Sequence, residues 1–343
     1  MAKRARSHAH KQTQTKNQPL AGQVAVVAGA TRGAGRGVAR GLGEAGATVY
    51  CTGRSVRGNP SPYDRPETIE ETAEMVTAAG GTGIAVRVDH TVESEVQTLF
   101  ERVQREQHRL DVLVNSIAGE DKSLGPWSRS FWKMNLDTAD VALRQSLLSH
   151  LITAKHAAAL MVPKKRGLIV EVTEGDMLFG GGNIVSTLVK TALKSLAVAM
   201  AEDLRKHKVA VISITPGFLR SETMLQHFGV TESTWQDAAK KDKNFLFSET
   251  PLLIGRAVAA LAADEKVLAR SGDIHSSWEV AREFELVDAD GRRVDWGEQW
   301  KILNAEPQWA WLREALERHI AWLDRLAKRG RGYLPSAASS RQR

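Results

Sequence analysis

Residues 24–37 read Val24-Ala25-Val26-Val27-Ala28-Gly29-Ala30-Thr31-Arg32-Gly33-Ala34-Gly35-Arg36-Gly37. An apolar run of strand length meets a glycine cluster, and the cluster opens a helix-like stretch from Val38 to Ala45. Strand, glycine turn and helix in that order give the glycines a physical task. They let the backbone reverse sharply and bring bare N–H groups close to a pyrophosphate, to which a helix N-terminus adds partial positive charge. The stretch predicts a dinucleotide-binding turn. A tight strand-to-helix connection would use the same glycines, so the rest of the chain must decide.

Outward from the turn, strands and helices alternate. Thr48 to Thr52, Ile84 to Val88, Leu110 to Val114, Leu168 to Val172 and Val209 to Ile214 read as further strands. Between them Pro66 to Ala79, a stretch with apolar positions at 92, 96, 99, 100 and 103, Ala139 to Met161 and Asn183 to Lys206 read as helices. Pro251 to Ala262 reads as one more. This alternation predicts an α/β fold, a doubly wound parallel sheet of Rossmann-like form with helices on both faces. Beyond position 270 the character changes: Trp278, Trp296, Trp300, Trp309, Trp311 and Trp322 lie there, six of the nine tryptophans. Trp309, Leu312, Leu316, Ile320, Leu323 and Leu326 mark one face of a terminal helix. The predicted organisation is a basic tail over 1–19, a dinucleotide-binding and catalytic domain over 20–265, a Trp-rich extension packed on it over 266–328, and a second basic tail over 329–343.

Composition bounds the partners. The chain has 343 residues, 42% of them apolar, and a formal net charge of +7. Residues 1–19 and 325–343 hold five and six basic residues with no acid, so residues 20–324 carry a net −4. The positive charge thus sits in two tails, which read as solvated and disordered. No aromatics are interleaved with it, and no nucleic-acid partner is expected. No apolar run of about 18 residues stands out and the first residues have no apolar leader segment, so no membrane partner is expected either. The single cysteine, Cys51, excludes an internal disulfide and fits a reducing cytoplasm. No metal site is read in the chain.

The spacing Gly29, Gly33, Gly35 departs from the GxGxxG fingerprint and resembles the Thr-Gly-x-x-x-Gly-x-Gly turn of the short-chain dehydrogenase/reductase family, with Ala28 in place of the threonine. The resemblance continues in order. Asp89 matches the family's adenine-contacting aspartate, and Asn115-Ser116-Ile117-Ala118-Gly119 matches its Asn-Asn-Ala-Gly element with one residue inserted. Pro216-Gly217 matches the loop beside the nicotinamide. The resemblance spans about residues 22–262. It implies a nicotinamide cofactor held by Gly29, Thr31, Arg32, Gly33, Ala34, Gly35, Arg54, Asp89, Asn115, Pro216 and Gly217. The end of the second strand, Cys51-Thr52-Gly53-Arg54-Ser55, has no acid to grip a ribose 2′-hydroxyl. Arg54 there and Arg32 in the turn suit a 2′-phosphate, so the cofactor expected is NADP(H) rather than NAD(H). Arg57 and Arg65 are weaker candidates for the same group. Family members pair through two long helices, which implies a homodimer or homotetramer through residues 139–162 and 183–206.

The catalytic pattern is broken. The family uses a Tyr and, four residues on, a Lys on one helix face; the phenol exchanges the substrate proton and the ammonium holds the ribose. Lys190 matches the lysine, but Ser186 stands four residues before it, and Tyr50, Tyr63 and Tyr333 are all elsewhere. An alkyl hydroxyl is a far weaker acid than a phenol. The family's catalytic serine falls on Thr173 by spacing to Ser186 and on Glu174 by strand alignment; Glu174 or Asp176 becomes an acid if desolvated. Ser146 stands where the family's lysine-supporting Asn is expected, with His150 one turn on. Three readings remain open, the third being a scaffold whose basic tails bind an acidic partner. One is an NADP(H)-dependent oxidoreductase of a carbonyl/alcohol pair using Lys190, Ser186, Thr173 and Glu174 on a small-molecule substrate. The second is a nucleotide-binding protein that keeps the fold without turnover.

Overall fold

The computed structural model describes residues 18–59, 65–118, 131–134, 136–175 and 184–305, with single helical positions at 314, 317, 318, 321 and 325. Seven strands form one sheet: β1 (Val24–Ala28), β2 (Thr48–Gly53), β3 (Thr82–Arg87), β4 (Val112–Asn115), β5 (Gly167–Val172), β6 (Val209–Thr215) and β7 (Ile274–Ser276). Their order is β3-β2-β1-β4-β5-β6-β7, and every pairing is parallel. The helices are α1 (Gly33–Glu44), α2 (Ile69–Ala79), α3 (Glu93–Gln107), α4 (Leu136–Leu143), α5 (Ser149–Met161), α6 (Ile184–Leu204), α7 (Glu222–Phe228), α8 (Pro251–Ala263), α9 (Ser277–Glu283) and α10 (Trp296–Ala305).

Strand alternation builds two cores. Ala25, Val27, Val114, Val170 and Ile212 face α1, α2 and α8, where Val38, Leu42, Val76, Ile254 and Val258 meet them. Val26, Leu113, Ile169 and Val211 face the other way, onto Phe100 of α3, Ala157 of α5 and Ala197 of α6. With both faces covered, the central strands are apolar throughout, as parallel sheets require. The chain runs outward from β1 to β3 and then returns to β4, so the strand order reverses between β1 and β4. A ligand crevice is expected beyond the C-terminal ends of those two strands.

Several features depart from the periodicity. Residues 139–161 do not form one helix: α4 and α5 are joined by a π-helical turn, Arg144–Leu148. The Ser149 hydroxyl donates to the Gln145 carbonyl at 2.6 Å and Thr153 donates to the Ser149 carbonyl at 2.7 Å. Such back-bonding bends and widens helices. Residues 266–294, read in the sequence as part of the extension, supply β7 and α9 to the sheet unit. There Ala281 and Val294 pack on Leu253 of α8. The chain divides after Val294; within the second unit Trp296 and Trp300 of α10 lie 6.5 Å apart. Trp309, Trp311, Trp322 and the terminal leucine stripe lie outside the described residues, as does most of each basic tail. Residues 184–207 are long and apolar enough, at mean hydropathy 1.5, to cross a membrane by length and composition. The sequence reads residues 183–206 as a helix of the sheet domain, and in the fold Ala197 and Ala201 of this stretch pack against Ile169 and Val211 of the sheet.

The tightest packing lies between α1 and α8. A Cβ on Gly37 would fall 1.8 Å from the Pro251 carbonyl oxygen, one on Gly41 2.3 Å from the Gly255 carbonyl carbon, and one on Gly255 2.1 Å from the Gly37 oxygen. The two helices touch backbone to backbone. Gly255→Ala therefore lowers unfolding free energy by about 3 kcal/mol in a denaturant titration, the upper range for overpacking a core.

Candidate active site

The glycine turn sits at the expected crevice. Gly29 follows β1 at φ +83°, and a Cβ on it would fall 2.4 Å from the Ser116 carbonyl oxygen, in the loop after β4. Gly35 would clash with the Gly29 oxygen at 2.1 Å. The turn is pinned from outside: the Gly29 and Ala30 N–H groups donate to the Thr52 carbonyl at 3.0 and 2.9 Å. Arg36 Nε donates to the Thr31 carbonyl at 2.9 Å. Arg32 is the extended N-cap of α1 and gives the helix no side-chain cap. The Gly33 N–H instead donates to Glu222 Oε2 at 2.8 Å.

Arginines gather at the neighbouring end of β2. Arg32 Nε lies 3.3 Å from Glu67 Oε2, while Arg65 grips the same carboxylate through Nε at 3.0 Å and Nη2 at 2.6 Å. Burial raises the Glu67 carboxyl, but Arg65 and Arg32 outweigh it and hold it below the usual carboxylate range. Arg32 Nη2 is buried without a hydrogen-bond partner. Arg54 Nη1 lies 3.7 Å from Asp89 Oδ2. Asp89 Oδ1 accepts from the Thr91 N–H at 2.9 Å and its hydroxyl at 2.7 Å. Burial works against ionisation of Asp89, yet Thr91 and Arg54 keep its carboxyl below the usual range. Arg57 is turned away, bidentate on the exposed Glu74.

At the far side, Pro216-Gly217 is carried by a buried acid. Glu249 Oε2 accepts from the Gly217 N–H at 3.1 Å and from the Ser277 hydroxyl at 2.7 Å. Its Oε1 is buried without a partner. Burial pushes this carboxyl up to about 8, against the pull of both hydrogen bonds.

The catalytic candidates converge only in part. Thr173, buried at the end of β5, donates its hydroxyl proton to the Lys190 carbonyl at 3.3 Å. This bond ties β5 to α6, where Ser186 and Lys190 stand one turn apart. Glu174 is exposed, and Asp176 lies outside the described residues. Ser146 is buried in the π-helical turn. Asn115 turns its side chain inward, donating to Glu171 Oε1 at 2.8 Å and the His150 carbonyl at 3.2 Å. His150 is fully buried, with Nδ1 2.5 Å from Glu171 Oε2 and Nε2 2.9 Å from the Ile117 carbonyl. A carbonyl only accepts, so Nε2 carries a proton, and a second proton must lie between Nδ1 and the carboxylate. The pair is therefore neutral overall and fixes the Ile117 backbone beside the glycine turn. His90, between Thr52 and Thr153, is pushed down to about 3 by burial and by His150, and is uncharged.

The comparisons agree with this geometry. The short chain dehydrogenase family model matches residues 23–230. The chain is 38% identical over 280 residues to dehydrogenase/reductase SDR family member 1 of Mus musculus, covering 80% of this chain and 86% of that one. The chain belongs to the short-chain dehydrogenase family. Among solved structures, a short chain dehydrogenase from Mycobacterium thermoresistibile shares the fold at TM-score 0.66 and 18% identity, covering 80% of this chain and 93% of that one. YwfH, described as an NADPH dependent reductase involved in bacilysin biosynthesis, does so at TM-score 0.59 and 20% identity, covering 74% and 96%.

A dinucleotide fits the cradle of this short-chain dehydrogenase on three structural grounds. No side chain other than hydrogen can occupy Gly29 or Gly35. A carboxylate, that of Glu222, already accepts from the turn's Gly33 N–H. Arg32, at the start of α1, has a buried donor without a partner. Glu67, Glu222 and Glu249 were missed in the sequence because each acts at a distance along the chain, up to the 189 positions between Gly33 and Glu222.

Glu249 gives a measurable sign. Its native carboxyl keeps its proton to about pH 8, whereas an unfolded glutamate loses it near the ordinary value of 4.5. Between those limits unfolding releases a proton, so stability falls as pH rises, at up to about 1.4 kcal/mol per pH unit. Glu249→Gln removes this slope between pH 5 and 8 in denaturant titrations. An unchanged slope would show that Glu249 is ionised in the native state.

Proposed function

We propose that this short-chain dehydrogenase is an NADP(H)-dependent oxidoreductase of a carbonyl/alcohol pair that works without the family's phenol. The observation that carries the cofactor half is the orphan Arg32 Nη2, a buried cationic donor, in a chain with Arg54 and no acid at the end of β2 to hold a 2′-hydroxyl. The bound nicotinamide supplies or takes the hydride. Gly29, Thr31, Gly33, Ala34 and Gly35 would hold the pyrophosphate, Arg32 and Arg54 the 2′-phosphate, and Asp89 the adenine. Asn115 keeps the β4 wall in place through Glu171. Pro216 and Gly217, the latter held by Glu249, would flank the nicotinamide, and Lys190 would hold the ribose.

The proton needs another source. The Thr173 hydroxyl donates to the Lys190 carbonyl and so ties β5 to α6; turning the same hydroxyl to a substrate oxygen would break that bond. An alkyl hydroxyl at Ser186 does not ionise where a phenol of pKa about 10 does. We assign the proton to water ordered by Ser186 and Lys190, with exposed Glu174 as the alternative carrier. The same replacement of Tyr by Ser favours the second reading, a dinucleotide-binding protein without turnover.

Purified protein given NADPH and a panel of aldehydes and ketones separates them. Turnover is expected, with Lys190→Ala lowering kcat by about 100-fold or more and Ser186→Tyr raising it. Glu174→Gln lowers it comparably only where that carboxylate carries the proton. Arg32→Ala should bring the affinities for NADPH and NADH together. Tight NADPH binding with no oxidation across the panel would establish the non-catalytic reading.

We propose further that the chain pairs with itself through α5 and α6, in the cytoplasm that its single, buried Cys51 suits. Leu148, Leu151, Ile184, Leu188 and Val198 are exposed apolar side chains of this region. Leu151, Leu196, Ala199 and Met200 line a hollow together with the charged Glu202, Asp203, Arg205 and Lys206. Exposed apolar side chains rimmed by charge mark an association face. Leu151→Asp with Leu188→Asp should give a monomer by sedimentation velocity where the wild type sediments as a dimer or tetramer. A monomeric wild type would remove the proposal.

A further inference from the structure

The short helix α7 lies against the cofactor cradle and holds it by two side chains. Glu222 Oε2 accepts from the Gly33 N–H at 2.8 Å, and Glu222 Oε1 lies 3.7 Å from Arg36 Nε. One turn on, Gln226 Oε1 accepts from Arg65 Nη1 at 2.5 Å, and Arg65 shares Glu67 with Arg32. Positions four apart lie on one helix face, so a single face of α7 reaches both the glycine turn and the arginine cluster. The fit is close: a Cβ on Gly33 would stand 3.7 Å from Ser221 Cβ. The helix is a defined unit. The Ser221 side chain accepts from the Met224 N–H at its start, Gly229 ends it in the left-handed region, and Phe228 anchors it among Phe218, Phe245 and Trp235.

A carboxylate and a phosphate are the same kind of ligand for a backbone N–H at a helix start, and one N–H cannot serve both fully. We propose that Glu222 is an internal competitor for the dinucleotide's pyrophosphate: α7 rests docked on the cradle, and the cofactor enters by displacing Glu222 from Gly33 and Gln226 from Arg65. This rests on the reading that the glycine turn takes a dinucleotide. Glu222 thereby determines cofactor affinity for the reaction, because only the undocked fraction binds. The negative charge of Glu222 adds direct repulsion of the diphosphate. Cofactor occupancy is in turn reported to the segment after Pro216-Gly217, since α7 carries the aromatic cluster with it.

The test is dinucleotide binding to the full chain by calorimetry, for the wild type, Glu222→Gln and Glu222→Ala. Loss of the competing charge-assisted hydrogen bond should tighten NADPH by about tenfold or more. NADH should tighten by the same factor, because the pyrophosphate is common to both. This separates the competitor from any change in 2′-phosphate recognition. In hydrogen exchange on the wild type, NADPH should speed exchange of the α7 amides. Variants that bind NADPH no tighter than the wild type, or α7 amides that gain protection with NADPH, overturn the proposal while leaving the cofactor reading standing. A wild type and variants that bind neither dinucleotide overturn both.

Discussion

Backbone resting on backbone at the end of β1 is the constraint on which the rest of this structure depends. Gly29 meets the Ser116 carbonyl, and Gly35 meets Gly29. The same helix then meets α8 through Gly37 and Gly41 against Pro251 and Gly255. One run of glycines therefore both opens the crevice between β1 and β4 and draws α1 down between the sheet and α8. A methyl group at these positions would open the cradle and the core together. The glycine motif is as much a packing device as a ligand device, which is why its spacing is informative about fold before it is informative about chemistry.

Around this contact, the loops at the C-terminal edge of the sheet are held by side chains acting on backbone groups. Arg36 binds the Thr31 carbonyl, His150 the Ile117 carbonyl, Glu249 the Gly217 N–H and Glu222 the Gly33 N–H. Three of these four engage groups that secondary structure leaves unpaired, in segments that must be irregular to line a crevice. Their electrostatics are balanced differently. The His150–Glu171 pair is neutral as a unit, and Glu249 is neutral by holding its proton, so both survive full burial. Glu222 is partly exposed, so of the three carboxylates it is the one that an incoming ligand reaches from solvent.

Local periodicity made the architecture legible. The Val24–Ala28 run, the alternation that sends Val26 and Val27 to opposite cores, and the four-residue step from Ser186 to Lys190 all read directly from neighbouring positions. What escaped was either too short or too distant. β7 has three residues, Ile274, His275 and Ser276, and no room for a period. The π-helical turn is flanked by the Ser149 and Thr153 hydroxyls bonding backward to carbonyls, and it leaves the apolar spacing of a plain helix intact. Glu67, Glu222 and Glu249 become meaningful only when the fold sets them beside Arg32, Gly33 and Gly217. Asn115 was legible as a motif residue, but the direction of its side chain, into the Glu171–His150 pair, is set by α5.

The altered catalytic face follows from the same separation of tasks. Positioning needs long-range geometry: α6 must lie at a fixed distance from β5, and here the Thr173 hydroxyl supplies that tie by donating to the Lys190 carbonyl. Proton transfer needs only an acid of suitable strength within reach, and water held by a cation is such an acid wherever solvent enters. Thr173 cannot serve both tasks with one proton. Ser186 is shorter than a tyrosine by a whole ring. The tie that places Lys190 does not involve the side chain at position 186. On the function proposed above, this arrangement leaves the proton to be exchanged with ordered water.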